Sequence, residues 1–139
     1  MSVVRVLVVD DVEDCRRSIS SMLGAEPFEI TGEASDGLMA VQLAEQLQPT
    51  VVLLDIGLPG LDGIKAGAGI RAVAPDAKIV FVSQESDPDI VRAALLLGGW
   101  AYVLKSDAAQ ELVEAIHSVV RGGKFVSRSL AGHGFINGP

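Results

Sequence analysis

The sequence has a single cysteine and a shortage of positive charge, and each shortage excludes a class of protein. With Cys15 alone, the chain can form neither an internal disulfide nor a cysteine-based zinc site, and we expect a small buried residue in a reducing compartment. Lys and Arg number 11 against 18 Asp and Glu, which gives a net charge of −7. Because phosphate backbones require a face of Lys and Arg, we expect no direct nucleic-acid binding by this segment.

Long hydrophobic runs are missing as well. The apolar stretch at 3–9 contains Arg5 and ends in two aspartates, unlike a signal peptide. No apolar run approaches the about 20 residues that span a bilayer. We therefore expect a cytoplasmic protein without membrane contact. The 139 residues, 49% of them hydrophobic, fit one domain with a core of its own.

Short β-rich apolar runs alternate with helical patterns five times along the chain. The predicted strands are residues 3–9, 28–34, 51–54, 78–82 and 101–104, and the predicted helices are residues 13–23, 38–47, 64–73, 89–97 and 108–120. The run at 51–54 is apolar at every position, which is typical of a strand buried on both faces. The alternation predicts right-handed βαβ crossovers and an α/β fold with a single doubly wound, five-stranded parallel sheet.

Glycines mark the weaker parts of this pattern. Gly67 and Gly69 fall inside the third helix and each costs roughly 1 kcal/mol relative to Ala, so we expect that helix to be the least secure element. The segment 122–139 is rich in glycine and has no sustained periodicity. We therefore predict one domain over 1–121 and a linker or disordered tail over 122–139.

Polar side chains follow four of the predicted strands where each strand ends. They are Asp10 and Asp11 after the first, Asp55 after the third, Ser83 after the fourth and Lys105 after the fifth. In a parallel sheet these ends share one edge, where three carboxylates would repel one another without a cation. Mg²⁺ prefers oxygen ligands and in proteins usually accompanies phosphate. The set predicts magnesium-assisted phosphoryl chemistry, with Asp55 as a candidate nucleophile and with Lys105 either pairing with it or neutralising a phosphoryl group.

Four segments, VLVVDD, LLDIGLPGLDG, IVFVS and YVLKS, occur in this order and together resemble the receiver domains of two-component response regulators. The resemblance covers residues 3–121 and implies the flavodoxin-like receiver fold, with strand order 2-1-3-4-5. The usual Lys-Pro pair of the family is Lys105-Ser106 here.

The resemblance also implies roles for individual residues. Asp55 would be the phosphoacceptor. Mg²⁺ would be the cofactor, held by Asp11, Asp55, the backbone of Gly57 and, through water, Asp10. Phosphoryl binding and switching would fall to Ser83, Lys105 and Tyr102, and Glu85 borders the pocket, where it would tune hydrolysis.

The tail GGKFVSRSL resembles the end of NarL-type receivers, in which a linker leads to a helix-turn-helix domain. This implies a sensor histidine kinase as phosphoryl donor, a homodimer on phosphorylation, and control of transcription through an output domain absent from this chain. The domain itself would catalyse only its own phosphorylation and dephosphorylation. A stand-alone receiver that acts as a phosphate sink or as a protein-interaction switch is the alternative.

Two other classes of protein fit the motifs less well. Haloacid dehalogenase-type phosphatases carry a second aspartate two residues after the nucleophile, and Val12 and Gly57 occupy those positions here. A flavin or nucleotide carrier would show GxGxxG after the first strand or GxxxxGK[ST], and neither motif occurs.

Overall fold

A computed structural model describes residues 3–24 and 27–133 as strands and helices that alternate in the predicted order. The elements are β1 Val4–Val9, α1 Glu13–Leu23, β2 Phe28–Ala34, α2 Gly37–Leu47, β3 Val51–Leu54, α3 Gly63–Val73, β4 Lys78–Ser83, α4 Pro88–Leu96, β5 Gly99–Leu104, α5 Ala108–Val120 and β6 Phe125–Val126. Short 3-10 helices cover Lys105–Asp107 and Arg128–His133.

The strands form one parallel sheet in the order β2-β1-β3-β4-β5-β6. Apolar side chains of α2, α3 and α4 pack on one face of the sheet, and those of α1 and α5 pack on the other. Every residue of β3 is fully buried because β3 lies in the middle of the sheet between both helix layers. The predicted doubly wound flavodoxin-like fold is therefore confirmed, with six strands in place of five.

The sixth strand lies in the segment for which the sequence predicted a linker or disordered tail. Phe125 and Val126 pair with Ala101 and Tyr102 of β5, and Leu130 beyond them is 3% exposed. A strand of two residues is too short to show a hydrophobic period, so the sequence pattern could not reveal it. The domain boundary at 121 stays a prediction, and residues 134–139 lie outside the described part of the chain.

The two glycines of α3 have a packing role. A Cβ atom on Gly69 would lie 3.0 Å from the Val41 side chain of α2, and one on Gly67 would lie 3.4 Å from the Phe81 ring of β4. The missing side chains let α3 approach its neighbours closely, which offsets the low helix propensity of glycine.

Two aromatic side chains pack against neighbouring elements. The ring of His117 lies 5.4 Å from that of Phe28, and the Trp100 ring lies 3.6 Å from the Lys78 ammonium. The side chain of His133 lies outside the described part of the structure.

Candidate functional site

The predicted polar residues meet at the carboxyl edge of the sheet. The parallel register places Val9 beside Leu54 and Leu54 beside Phe81, so the residues that follow these strands emerge at the same level. Asp10 and Asp55 come directly after β1 and β3, and both are buried. Ser83 ends β4 and Lys105 follows β5. The expected cluster of side chains is therefore present.

Three carboxylates form the centre of this cluster. Asp10, Asp11 and Asp55 each offer an oxygen within 4.8 Å of the others, and only Asp11 is exposed. Asp10 Oδ2 is buried and has no hydrogen-bond donor among the described residues. A hard divalent cation fits this donor set because it prefers carboxylate oxygens and would neutralise the mutual repulsion of the three carboxylates.

Lys105 compensates part of the negative charge. Its Nζ lies 2.8 Å from Asp10 Oδ2, in an ion pair that is not aligned as a hydrogen bond, and it donates to Asp55 Oδ2 at 3.1 Å. Burial alone would lower the pKa of Lys105, but the contacts with Asp10 and Asp55 outweigh it and raise this pKa above the ordinary lysine value. The side chain thus carries its charge at neutral pH.

Hydrogen bonds hold the first of these carboxylates in place. Asp10 Oδ1 accepts from the Val12 amide at 2.9 Å, and Arg16 Nη1 donates to the Asp10 carbonyl at 2.7 Å while its Nε pairs with Glu33 at 3.0 Å. Sequence reasoning did not single out Arg16. In the sequence, Arg16 is one polar residue of an ordinary helical pattern, and its spacing from Asp10 matches no functional motif. Only the fold shows that its side chain contacts the end of β1.

The loop after β3 holds Asp55. The Gly57 amide donates to Asp55 Oδ1 at 3.3 Å, which places residue 57 beside the cluster. Gly63, at the start of α3, packs so closely against the Asp55 carbonyl that a Cβ atom there would collide with it. This explains why a glycine opens α3 directly after the acidic loop.

Ser83, Glu85 and Tyr102 form a second group beside the carboxylates. Ser83 Oγ accepts from the Glu85 amide at 3.1 Å, and the Tyr102 hydroxyl donates to the Glu85 carbonyl at 2.7 Å. The Tyr102 ring is fully buried, and this burial raises the pKa of Tyr102 to about 12. The loop after β4 is thus tied on one side to the predicted phosphoryl-binding hydroxyl and on the other to the predicted switch residue.

Cys15 differs from its prediction as a buried packing residue. It is half-buried, and its Sγ lies 3.7 Å from Lys105 Nζ. The two residues line an open cavity of about 300 Å³ between α1 and the loops after β4 and β5. The sequence pattern missed this contact because 90 residues separate the two side chains.

The sequence profile of the response regulator receiver domain matches residues 6–117 of this chain. The chain belongs to this receiver family. It is 37% identical over 130 residues to the transcriptional regulatory protein LiaR of Bacillus subtilis (strain 168). The matched region covers 93% of this chain and 62% of LiaR. The receiver thus spans less than two thirds of that relative's length.

Solved structures agree with the assignment as a receiver. A LuxR-family two-component response regulator from Aurantimonas sp. SI85-9A1 superposes with a TM-score of 0.90 at 28% identity, covering 95% of each chain. The receiver domain of the response regulator NarL from Mycobacterium tuberculosis gives 0.82 at 32% identity, covering 88% of this chain and 99% of that chain. The predicted resemblance to NarL-type receivers is confirmed.

Tyr102 is the only tyrosine, so its titration can be followed directly by phenolate absorbance. Because the folded-state pKa is raised from 10.0 to about 12, the protonated phenol stabilises the fold below pH 10, and this contribution is lost between pH 10 and about 12. We expect no phenolate signal from the folded receiver at pH 10 and a fall in the free energy of unfolding above it. In Tyr102→Phe the free energy of unfolding should fall less steeply above pH 10. Part of the fall should remain, because the raised pKa of Lys105 also makes stability decrease at high pH. A phenolate that titrates near 10 in the folded protein would contradict this.

Proposed function

We propose that this receiver accepts a phosphoryl group on Asp55 from a phosphohistidine of a sensor histidine kinase. One observation carries the proposal: the Asp55 carboxylate is 7% exposed, stands at the edge of the sheet within the three-carboxylate cluster, and has one oxygen 3.1 Å from the Lys105 ammonium. A carboxylate so placed is an aspartyl nucleophile with a cation already beside it.

The transfer is a displacement at phosphorus. An Asp55 carboxylate oxygen forms the new O–P bond as the N–P bond to the donor histidine breaks, and the electron pair of that bond stays on the imidazole nitrogen. Charge spreads over the equatorial phosphoryl oxygens in such a transition state. Lys105, released from Asp55 as that carboxylate becomes an acyl phosphate, offsets the charge on these oxygens.

We propose Mg²⁺ as the cofactor, held by Asp11, Asp55, the Gly57 carbonyl and, through water, Asp10. The burial of Asp10 and Asp55 and the short distances among the three carboxylates support this donor set. When bound, Mg²⁺ supplies positive charge for the phosphoryl oxygens.

The phosphoryl group would change conformation through the loop after β4. It brings about −2 charge and strong acceptors. Ser83 Oγ accepts from the Glu85 amide at 3.1 Å, so a movement of the Ser83 hydroxyl toward the phosphoryl group, to which it would donate, would pull on this loop. The Glu85 carbonyl of the same loop accepts a hydrogen bond from the Tyr102 hydroxyl. A movement of the loop would therefore displace the Tyr102 ring. The ring is already buried in this structure, which supports a shift between populated states in preference to a new fold.

Glu85 has a weaker claim to its predicted role. Its carboxylate accepts from the Asp87 amide at 3.0 Å, next to the start of α4. The carboxylate therefore supports the turn into α4, and its influence on hydrolysis stays a prediction.

The proposed output is control of transcription through a helix-turn-helix domain that would lie outside this chain. The name of LiaR and its extra length relative to this receiver support that assignment. A receiver that acts alone, as a phosphate sink or a protein-interaction switch, is the second candidate. No helix of the described residues is long and apolar enough to cross a membrane.

The first test is chemical. Acetyl phosphate with Mg²⁺ should add one phosphoryl group, measured as one acid-labile label by mass spectrometry, and Asp55→Asn should abolish the label because the amide is not a nucleophile. Asp62→Asn is the matched control, since Asp62 caps α3 from the same loop and the amide oxygen can still cap it. An unchanged label in Asp55→Asn would refute the assignment, and many turnovers of a phosphate ester would indicate a phosphatase of the haloacid dehalogenase type.

The second test concerns the metal. Asp11→Ala should weaken Mg²⁺ binding and phosphorylation together, while the melting temperature in metal-free buffer holds or rises because one repelling carboxylate is gone. Asp11 is exposed and α1 starts without a side-chain cap, so no structural loss is expected. Asp14→Ala removes a nearby exposed charge outside the cluster and should leave Mg²⁺ affinity nearly unchanged. A large loss of stability in Asp11→Ala would show a structural role instead.

The third test concerns self-association through the surface of α4, β5 and α5. Beryllofluoride with Mg²⁺, as an aspartyl-phosphate mimic, should shift the sedimentation coefficient toward a dimer. Leu96 at the end of α4 is 76% exposed, and Leu38 on α2 is 65% exposed. Leu96→Ser should weaken the dimer, while Leu38→Ser should not. An unchanged mass with beryllofluoride would favour the phosphate sink.

A further inference from the structure

The segment after α5 holds the turn that carries Lys105. Ser127 is fully buried, and its amide donates to the Tyr102 carbonyl at 2.9 Å, which continues the pairing of β6 with β5. One step further along β5, the Leu104 amide donates to the Ser127 hydroxyl at 2.9 Å. The backbone pairing of β5 with β6 thus ends at Ser127, and the Ser127 side chain accepts the next hydrogen bond from β5, directly before Lys105.

A buried carboxylate fixes that hydroxyl. Ser127 Oγ donates to Glu111 Oε1 at 2.6 Å, and the Arg128 amide donates to Glu111 Oε2 at 3.1 Å. Glu111 is only 4% exposed, although it lies on a helix whose other buried residues are apolar. A buried carboxylate is costly unless it is satisfied. These two hydrogen bonds, together with an ion pair between Glu111 Oε2 and Arg128 Nη1 at 3.6 Å, satisfy Glu111.

A second contact reaches the other end of the same turn. Ser129 Oγ donates to Asp107 Oδ2 at 2.6 Å, so the segment contacts the chain on both sides of the 3-10 helix Lys105–Asp107. At the other end of the Lys105 side chain, Nζ lies within 3.1 Å of both Asp10 and Asp55. The path from Ser127 to the phosphoacceptor thus consists of Leu104 and Lys105 alone.

We propose that Ser127 and Glu111 are positioning residues for phosphoryl transfer, which hold Lys105 against the carboxylates through the Leu104 amide. The inference rests on the proposed function of Asp55 and adds to it that the segment 125–130 and the phosphoryl site are coupled. Binding at one must then change the order of the other, because such coupling is reciprocal.

The coupling has a signature that a loss of stability alone does not produce. The Lys105 ammonium attracts a phosphoryl group but competes with a cation for Asp10 and Asp55. Displacing Lys105 should therefore weaken binding of beryllofluoride at saturating Mg²⁺, while the affinity for Mg²⁺ alone holds or rises. Lys105→Met removes the ammonium altogether, so it gives the largest expected loss of beryllofluoride affinity and the largest expected gain, if any, of Mg²⁺ affinity. We call this pair of changes the opposite response.

The experiment compares variants of the full chain by titration calorimetry with Mg²⁺ alone and then with beryllofluoride. Ser127→Ala removes both hydrogen bonds of the hydroxyl, of which only the bond from the Leu104 amide leads to Lys105. The variant should therefore bind beryllofluoride roughly threefold to tenfold more weakly, the effect of that one bond, without loss of Mg²⁺ affinity. Ser127→Thr keeps the hydroxyl and should restore the wild-type value. Ile70→Val, a core change in α3 on the opposite face of the sheet, should leave both affinities unchanged.

A second variant tests the same path if Ser127→Ala does not fold. Glu111→Gln should show the same opposite response, whereas Glu114→Gln, which touches only the Arg128 side chain at an exposed position, should not. Reciprocally, beryllofluoride should slow hydrogen exchange at the amides of Ser127 and Leu130 in the wild-type protein.

The results separate the two proposals. A wild-type chain that fails to bind beryllofluoride would overturn the function proposed for Asp55 and this inference with it. Normal binding by the wild type, the expected response of Lys105→Met and unchanged affinities in Ser127→Ala and Glu111→Gln would overturn only the positioning role. Parallel losses of both affinities would also overturn it, because they indicate general destabilisation.

Discussion

The ion pairs of Lys105 with Asp10 and Asp55 are the interaction on which the arrangement of the site depends. The two carboxylates are 0% and 7% exposed and lie side by side, an arrangement in which like charges repel and a cation is stabilising. The ammonium, at 2.8 and 3.1 Å, supplies that cation in the absence of metal. Removing one partner of such a buried pair typically costs several kcal/mol, so the site holds a balance of charge that an incoming phosphoryl group or metal must rearrange.

That balance exists because the strands are parallel and in register. β1, β3, β4 and β5 all leave the core at one edge, and the apolar residues on both faces of β3 fix the level at which Asp55 emerges. A shift of one residue in β3 would move Val51 and Leu53 from one helix layer to the other and would carry Asp55 away from Lys105. The hydrophobic core thus positions the chemistry without contributing a polar atom to it.

The contacts around Lys105 also show why a receiver of this kind can link its site to distant surfaces. The loop after β4 is held by Ser83 and Tyr102, and the turn after β5 is held by Ser127 and Ser129. Tyr102 of β5 thus bonds to the loop after β4, and Ser127 and Ser129 beyond β6 bond to the chain at the turn after β5. Under the proposed function, a phosphoryl group on Asp55 would attract Ser83 and Lys105, the residues from which these two loops start.

The sequence by itself determined the α/β class, the order of the first five strands along the chain and the set of polar residues at the sheet edge. These follow from local patterns, because short β-rich runs alternate with helical segments and four of the five runs end in a polar side chain. The family motifs added roles for Asp55, Lys105 and Tyr102, because those roles are attached to short segments that keep their order along the chain.

Only the tertiary structure decided the contacts between segments distant in sequence. Arg16 at the Asp10 carbonyl, Cys15 beside Lys105, and Ser127 between Leu104 and Glu111 join residues that no short pattern connects. The sixth strand belongs with them, since two residues cannot display a period and β6 is held by the open edge of β5 and by hydrogen bonds from its neighbours. Hydrophobic periodicity shows which face of a helix or strand is buried. It does not show which polar side chains from distant segments will contact one another in the folded protein.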